Sequence, residues 1–127
     1  MFKLRQVKKT DLPFLDSLIE KEQAMPVNWN DNSFIQTIVI EDQGELVACS
    51  PIQFVANELF LPFFFVHQVY LRKGIAQHMF EKVKKIAKAN QIKNITMATG
   101  HLKEETIYYY KERLVMELEG DLLVLQL

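Results

Sequence analysis

The chain has 127 residues and a mass of 14.9 kDa, which is enough for one domain and too short for two hydrophobic cores. Fifteen Lys and Arg against sixteen Asp and Glu leave a formal charge of -1, so there is no overall positive charge to hold a nucleic-acid backbone. The longest apolar run covers residues 59–66, far short of the roughly 20 residues of a membrane-spanning helix. We therefore expect a single domain over residues 1–127, with no nucleic-acid partner and no membrane span.

Cysteine and histidine usage argues against a disulfide and against a metal site. Cys49 is the only cysteine and falls within an extended segment, where a small buried hydrophobe is more common than a nucleophile. His78 and His101 have no Cys or carboxylate at metal-ligand spacing, so we expect no metal. The N-terminal residues also lack the uninterrupted apolar core of a signal peptide, which favours a cytoplasmic protein.

The first part of the chain predicts a strand, a helix, a loop and a hairpin. Residues 2–7 alternate apolar and charged, as in a half-buried strand, and Thr10 and Asp11 are N-cap candidates for a helix that reaches about residue 22. Residues 23–33 are rich in turn-forming side chains and predict a loop around a short helix. Extended segments at 37–41 and 46–55 flank the turn Asp42-Gln43-Gly44-Glu45 and predict a hairpin.

The next segment, residues 59–66, predicts a central strand. It is apolar on both faces, which is typical of a strand covered on each side, and its Phe63-Phe64-Phe65 run is expected in the core. Pro62 cannot donate a hydrogen bond to a neighbouring strand. We therefore expect a bulge or splay of the sheet near Pro62.

The second part of the chain opens on the strongest helical pattern, residues 74–90, with Asn90 as the expected left-handed cap. A strand at 92–97, a helix at 104–113 and a closing hairpin of 115–118 and 122–127 around Gly120-Asp121 follow. This order predicts an α+β (mixed α/β) fold, a mixed sheet with helices on its faces.

The junction between residues 59–66 and the long helix has the features of an anion site. The first N–H groups of a helix lack internal partners and carry partial positive charge, so a phosphate is able to satisfy both. Gly74 lets the backbone approach a ligand closely, and Arg72 and Lys73 add formal charge. The structural alternative is that Gly74 only eases a turn and that the two cations are solvated.

Residues 66–97 resemble the acyl-CoA pyrophosphate-binding core of the GNAT family of N-acyltransferases. Val66 takes the strand-end position and Gln68 the position that is often proline, while Gly74 and Ala76 match the two small residues of the family pattern. Leu71 departs from the usual Arg or Gln. The resemblance implies a GNAT-like three-layer fold, with a mostly antiparallel sheet of about seven strands and about four helices, and acetyl-CoA as co-substrate. The cofactor-binding residues that it implies are Val66, Leu71, Arg72, Lys73, Gly74, Ile75 and Ala76.

Residues 107–115 resemble a second GNAT motif, aromatic-Tyr-x-x-x-Gly-Phe. Tyr109 and Tyr110 fall at its aromatic pair, while Leu114 and Val115 replace the glycine and phenylalanine. In many members the tyrosine aligned with Tyr110 protonates the leaving thiolate, a role worth roughly 10²- to 10⁴-fold in rate. The structural alternative is that Tyr110 is a core tyrosine.

An amine acceptor must lose a proton before it attacks a thioester, so a base or a water relay is needed. Glu58, at the start of the strand that leads to the cofactor loop, is the first candidate, and His67 is the second. Each has a structural alternative: Glu58 as a polar turn residue, His67 as a half-buried histidine. The resemblance also implies that the amide of Val66 points at the thioester carbonyl.

Together these features predict a GNAT-type acyl-CoA N-acyltransferase (EC 2.3.1 class), in which a primary amine attacks acetyl-CoA directly. The alternative is a catalytically weak GNAT-like module that binds acyl-CoA or a protein partner, motivated by the departures at Leu71, Leu114 and Val115. The acceptor, a small-molecule or peptide amine, is not encoded in any pattern. The apolar segment 122–127 has the character of a strand that pairs across a homodimer.

Overall fold

The computed structural model describes residues 2–23, 37–70, 73–100 and 102–127. The loop expected at 23–33, apart from its first residue, lies outside them, as do Leu71, Arg72 and His101. The α-helices are α1 (Leu12–Gln23), α2 (Ile75–Ala89) and α3 (Glu104–Arg113). The strands are β1 (Phe2–Gln6), β2 (Ile38–Asp42), β3 (Glu45–Ser50), β4 (Gln53–Val55), β5 (Glu58–Leu61), β6 (Phe65–Val66), β7 (Asn94–Ala98), β8 (Glu117–Glu119) and β9 (Leu122–Gln126).

These strands form two sheets, with the orders β1-β2-β3-β6 and β4-β5-β7-β9-β8. The expectation that segment 122–127 pairs across a homodimer is wrong, because β9 lies between β7 and β8 and both of its edges are already paired. Among the described strands, β5 and β7 form the one parallel pair, and every other pairing is antiparallel. The predicted mixed, mostly antiparallel α+β fold is confirmed.

The chain passes from one sheet to the other at two prolines. The expected strand 46–55 is divided into β3 and β4 around Pro51, and the expected strand 59–66 is divided into β5 and β6 around Pro62. Because proline has no N–H to donate, the backbone hydrogen bonding between segments 46–55 and 59–66 is interrupted near Pro51 and Pro62. The splay predicted at Pro62 is thus confirmed. If β3 with β4 and β5 with β6 are each counted as one divided strand, the nine described strands correspond to the seven expected.

The hydrophobic core has two parts, which lie on opposite faces of the first sheet. The larger one packs the apolar stripe of α2, including Met79 and Phe80, against both sheets and against Tyr110 of α3. The smaller one packs Leu15 of α1 against the other face of the first sheet, with Cys49 and Phe65. Burial raises the pKa of the Cys49 thiol to about 12, which confirms its expected role as a small buried hydrophobe.

A charged network fixes the entry into α1. The guanidinium of Arg5 donates hydrogen bonds to both carboxylate oxygens of Asp11, at 2.9 and 3.0 Å, and to Glu41 Oε2 at 2.8 Å. The same Asp11 carboxylate accepts a hydrogen bond from the N–H of Lys8, at 2.7 Å. The side-chain hydrogen bond from Arg5 is the main reason why the pKa of Asp11 lies below its ordinary value.

The end of α2 differs from the prediction in one residue. Asn90 keeps a negative φ of -103°, and Gln91 adopts the left-handed conformation at φ 59°. The N–H of Ile92 then donates to the carbonyl of Ala87 at 2.8 Å, which closes the helix end with a six-residue turn. The side chain of Asn90 instead donates to the carbonyl of Ile86 at 2.8 Å.

Candidate functional site

A gap opens in the molecule where the chain continues from β5 into β6 and so leaves β7, the parallel partner of β5. β7 runs parallel to β5 up to the pair Leu61 and Met97, whereas β6 pairs with β3 in the other sheet. The N–H of His67 donates to the carbonyl of Val47 at 2.7 Å. Because antiparallel partners alternate in direction, Val66, one residue earlier, directs its N–H and C=O away from β3 and toward the side of β7. An unpaired strand edge therefore faces the gap.

The N-terminus of α2 stands at the end of the loop that leaves this gap. Gly74 is its N-cap at φ 82°, in the left-handed region that glycine adopts without strain, and as a glycine it has no side chain with which to cap the helix. A Cβ built on Gly74 would meet no atom of the described residues within 4 Å. A diphosphate fits such a terminus because its oxygens accept hydrogen bonds from the amides that follow, those of Ile75 and Ala76.

The described charge beside this terminus is Lys73. Its ammonium group lies 5.5 Å from the centre of the Tyr70 ring, which holds it next to the loop. Leu71 and Arg72, the other predicted cofactor contacts on this loop, lie outside the described residues. The structure describes five of the residues predicted to hold the cofactor, Val66 and residues 73–76. Val66 lies at the edge of the gap, and residues 73–76 form the end of the loop and the N-terminus of α2.

His67, the second base candidate, belongs to the loop rather than to the gap. Its Nδ1 accepts a hydrogen bond from the N–H of Val69 at 3.2 Å, and its ring meets Tyr70 edge-on with 6.0 Å between the centres. Tyr70 in turn donates to Asp42 at 3.2 Å. These contacts show that the half-buried His67 helps to shape the turn after β6.

Tyr110 lies inside the larger core. It is 1% exposed, and its ring packs edge-on against Phe64 with 5.3 Å between the centres. Burial, with a smaller contribution from Tyr109, raises the pKa of Tyr110 well above its ordinary value, so its hydroxyl stays protonated at neutral pH.

The C-terminus of α3 shifts the match to the aromatic-Tyr-x-x-x-Gly-Phe pattern by one residue. The N–H of Met116 donates to the carbonyl of Lys111 at 3.0 Å, and Val115, at φ 55°, is the left-handed residue of this turn. Because glycine is the residue favoured at that position, we infer that the glycine of the pattern corresponds to Val115 and not to Leu114. The phenylalanine then corresponds to the buried Met116, and the tyrosine to the exposed Lys111. Tyr110 falls at the preceding aromatic position, which agrees with its burial.

A groove of about 640 Å³ runs across the second sheet on the face opposite this core. Residues opposite one another in register share a face, and Glu58, Asn94 and Gln126 form one such row. Glu117 and Glu119 of β8 line the same groove. Glu58 and Tyr110 therefore lie on opposite faces of the sheet, because Leu59, the neighbour of Glu58, packs in the core that contains Tyr110.

Residues 4–114 match the family model for the acetyltransferase (GNAT) family. The chain belongs to the GNAT family. Against curated proteins, the comparison finds no match.

Solved structures with the same fold cover nearly the whole chain. The ribosomal-protein-S18-alanine N-acetyltransferase from Escherichia coli superposes with a TM-score of 0.78 at 17% identity, over 98% of this chain and 91% of that one. The PaiA N-acetyltransferase from Thermoplasma acidophilum, in complex with coenzyme A, gives 0.78 at 14% identity, over 100% and 99%. N-acetylglutamate synthase from Neisseria gonorrhoeae, complexed with coenzyme A and N-acetyl-glutamate, gives 0.71 at 17% identity, over 100% of this chain and 35% of that one. At these identities the likeness shows the GNAT fold.

The sequence analysis of this GNAT chain did not identify the groove. Its residues come from β5, β7 and the hairpin of β8 and β9, three segments that are distant in sequence, and only the alternation Glu117-Leu118-Glu119 indicated a polar face on β8. Over the described residues, no helix is both long and apolar enough to span a membrane, and no group of three or more His, Cys, Asp or Glu side chains is arranged to hold a metal ion.

Proposed function

We propose that this GNAT protein is an acyl-CoA-dependent N-acyltransferase that acetylates a primary amine. The observation that carries the proposal is the gap between β6 and β7, which has the unpaired edge of Val66 on one side and leads to the uncapped N-terminus of α2. Two structural neighbours are complexes with coenzyme A, which supports the same co-substrate here. When bound, acetyl-CoA supplies an activated acetyl group.

The residues of the chain would bind this co-substrate through main-chain groups. The amides of Ile75 and Ala76, with the charge of Lys73 and the predicted contribution of Leu71 and Arg72, would hold the diphosphate. The amide of Val66 would donate to the thioester carbonyl, and a preorganised donor of this kind is worth about 10²- to 10³-fold in rate. Neither role depends on a particular side chain, so the departure at Leu71 is compatible with binding.

The acceptor amine must lose a proton before it attacks, and we expect this to happen on the face of the second sheet that carries the groove. Glu58 lines the groove there and is the better of the two base candidates, acting through water because it lies at the start of β5. His67 is the weaker candidate, since its Nδ1 already accepts the hydrogen bond from Val69. We expect Glu58→Gln to lower kcat and shift its pH profile, while His67→Gln changes neither by more than about twofold.

The test of cofactor binding uses two matched substitutions that each introduce a glutamate on α2. Gln77 is exposed in the first turn of the helix and Ala89 is exposed in the last, about 18 Å away at 1.5 Å per residue. Gln77→Glu places a negative charge where the diphosphate would bind, so we expect the affinity for acetyl-CoA, measured by calorimetry, to fall about tenfold. Ala89→Glu should leave that affinity unchanged. Equal affinities of both variants, or no binding by the wild type, would contradict the proposal.

A second candidate function is an acyl-CoA-binding module with little catalytic activity. The observation that favours it is Lys111 at the position of the family's tyrosine, together with a buried Tyr110. Tight acetyl-CoA binding without release of free thiol across a panel of primary amines would support this candidate. Thiol release with any of these amines would support the enzyme.

A further inference from the structure

The groove across the second sheet is strongly anionic. Glu58, Glu117 and Glu119 line it, and no Lys, Arg or His of the described residues does. This is unusual in a chain whose Lys and Arg nearly balance its Asp and Glu, at fifteen against sixteen. The lining therefore favours a positively charged ligand.

The carboxylates are spread along the groove rather than gathered at one point. Three strand spacings of about 4.8 Å separate β5, which carries Glu58, from β8, which carries Glu117 and Glu119. Within the described part of the chain, no three acidic or metal-binding side chains converge on one position. The arrangement suits an elongated organic cation with separated charges and does not suit a metal ion.

The middle of the groove combines apolar and polar groups. Leu122 and Val124 of β9 lie opposite Glu119 and Glu117, so they offer an apolar surface between the carboxylates. Thr96, on the neighbouring strand, is only 5% exposed, lines the groove, and makes no side-chain hydrogen bond with any described residue. An amine nitrogen in the groove would give this hydroxyl a hydrogen-bond partner.

The groove leads to the gap in which acetyl-CoA is proposed to bind. Leu122, which lines the groove, pairs with Ala98 at the end of β7, one residue beyond the last pair between β7 and β5. Glu119 is level with Ala98 but lies two strands away from β7, on β8, and Glu58 lies at the other end of the groove, where β5 and β7 begin. An extended amine would thus present one nitrogen at the gap while a second nitrogen contacts the carboxylates farther along.

We propose that the acceptor is an aliphatic di- or polyamine held along this groove. Its distal ammonium groups contact Glu117 and Glu119, its methylene groups pack on Leu122 and Val124, and its terminal amine reaches the gap. The assignment of this amine as the acceptor rests on the proposed N-acyltransferase function. Binding of a polyamine in the groove does not depend on that function, so an experiment can separate polyamine binding from acetyl transfer.

The experiment measures binding of spermidine by calorimetry at low salt, with and without saturating coenzyme A. The test variant is the double substitution Glu117→Gln/Glu119→Gln, which removes two groove charges at almost constant size. We expect its spermidine Kd to rise about tenfold, since two charge-assisted contacts are lost. The control, Glu104→Gln/Glu105→Gln on α3, removes the same charge outside the groove and should bind like the wild type.

Steady-state kinetics with acetyl-CoA provide the second readout. We expect the KM for spermidine to rise about tenfold in the test variant with kcat within about twofold, and the KM for n-butylamine to stay constant. Spermidine affinity that is equal in the wild type and test variant, or preference for a basic peptide over every polyamine, would overturn the proposal. If spermidine binds in the groove but acetyl-CoA does not bind the protein, the proposed function fails and the groove assignment stands.

Discussion

Replacing Val115 by glycine should stabilise the protein. Val115 occupies the left-handed position after α3 at φ 55°, a conformation that costs a non-glycine residue about 1–3 kcal/mol, with β-branched residues at the upper end. Glycine avoids this strain but adds about 0.5–1 kcal/mol of chain entropy to the unfolded state. Because Val115 is 74% exposed, the apolar burial that is lost is worth only about 0.5 kcal/mol. The net gain is about 1 kcal/mol.

The assay is equilibrium unfolding in urea together with a thermal melt of the free protein. For a domain of this size, about 1 kcal/mol raises the Tm by about 4 °C. Val115→Asn should also be stabilising, since asparagine tolerates the left-handed region without the full entropy cost of glycine. An unchanged or lower free energy of unfolding in both variants would refute the argument from backbone strain.

Val69→Gly provides the matched control. Val69 is also a largely exposed valine, at 66%, but it lies in a short 3₁₀ turn and is not among the described residues with positive φ. There the glycine adds unfolded-state entropy and relieves no strain, so we expect a loss of about 0.5–1 kcal/mol. Stabilisation by this variant as well would show that the effect at Val115 is unrelated to its conformation.

The remaining predictions concern the candidate site and the network at the start of α1. Tyr110→Phe should change kcat for thiol release by less than tenfold, because the tyrosine of the family pattern corresponds to Lys111; a loss of 10²-fold or more would restore Tyr110 as the acid. Gly74→Ala should lower the free energy of unfolding by about 1 kcal/mol, since φ 82° is strained for alanine, and should weaken acetyl-CoA binding in calorimetry. Asp11→Asn should lower the free energy of unfolding at pH 7 by about 2 kcal/mol, because Arg5 loses one of its two charged partners and keeps only Glu41.

The pH dependence of this last effect has a defined sign. The pKa of Asp11 is lower in the folded protein than in the unfolded chain, so its stabilising contribution is complete above the unfolded value, near 4, and is lost as the pH falls through the folded value. Urea unfolding at pH 7 and at pH 3 measures it. The difference in the free energy of unfolding between wild type and Asp11→Asn should be smaller at pH 3 than at pH 7. An equal difference at both pH values would contradict a contribution from the ionised Asp11.

Local patterns in the sequence predicted the family and most of the elements, although β8 begins at Glu117 and not at the expected residue 115. The alternation of β1, the apolar stripe of α2 and the loop that ends at Gly74 are encoded by neighbouring residues, and the family match over residues 4–114 confirms the resemblance drawn from them. Pro62 similarly predicted where the sheet divides, because the missing N–H of proline is a local property.

Two features of the site depended on tertiary structure. The sequence of an aromatic run does not show whether a given tyrosine faces a ligand or the core. The inferred one-residue shift in the match to the aromatic-Tyr-x-x-x-Gly-Phe pattern therefore depends on the backbone turn at Val115 and on the packing of Tyr110 against Phe64. The groove brings Glu58 together with Glu117 and Glu119, some sixty residues later, through strand pairing alone. Local spacing determines which element a segment forms, whereas the register between distant strands determines which charges share a face.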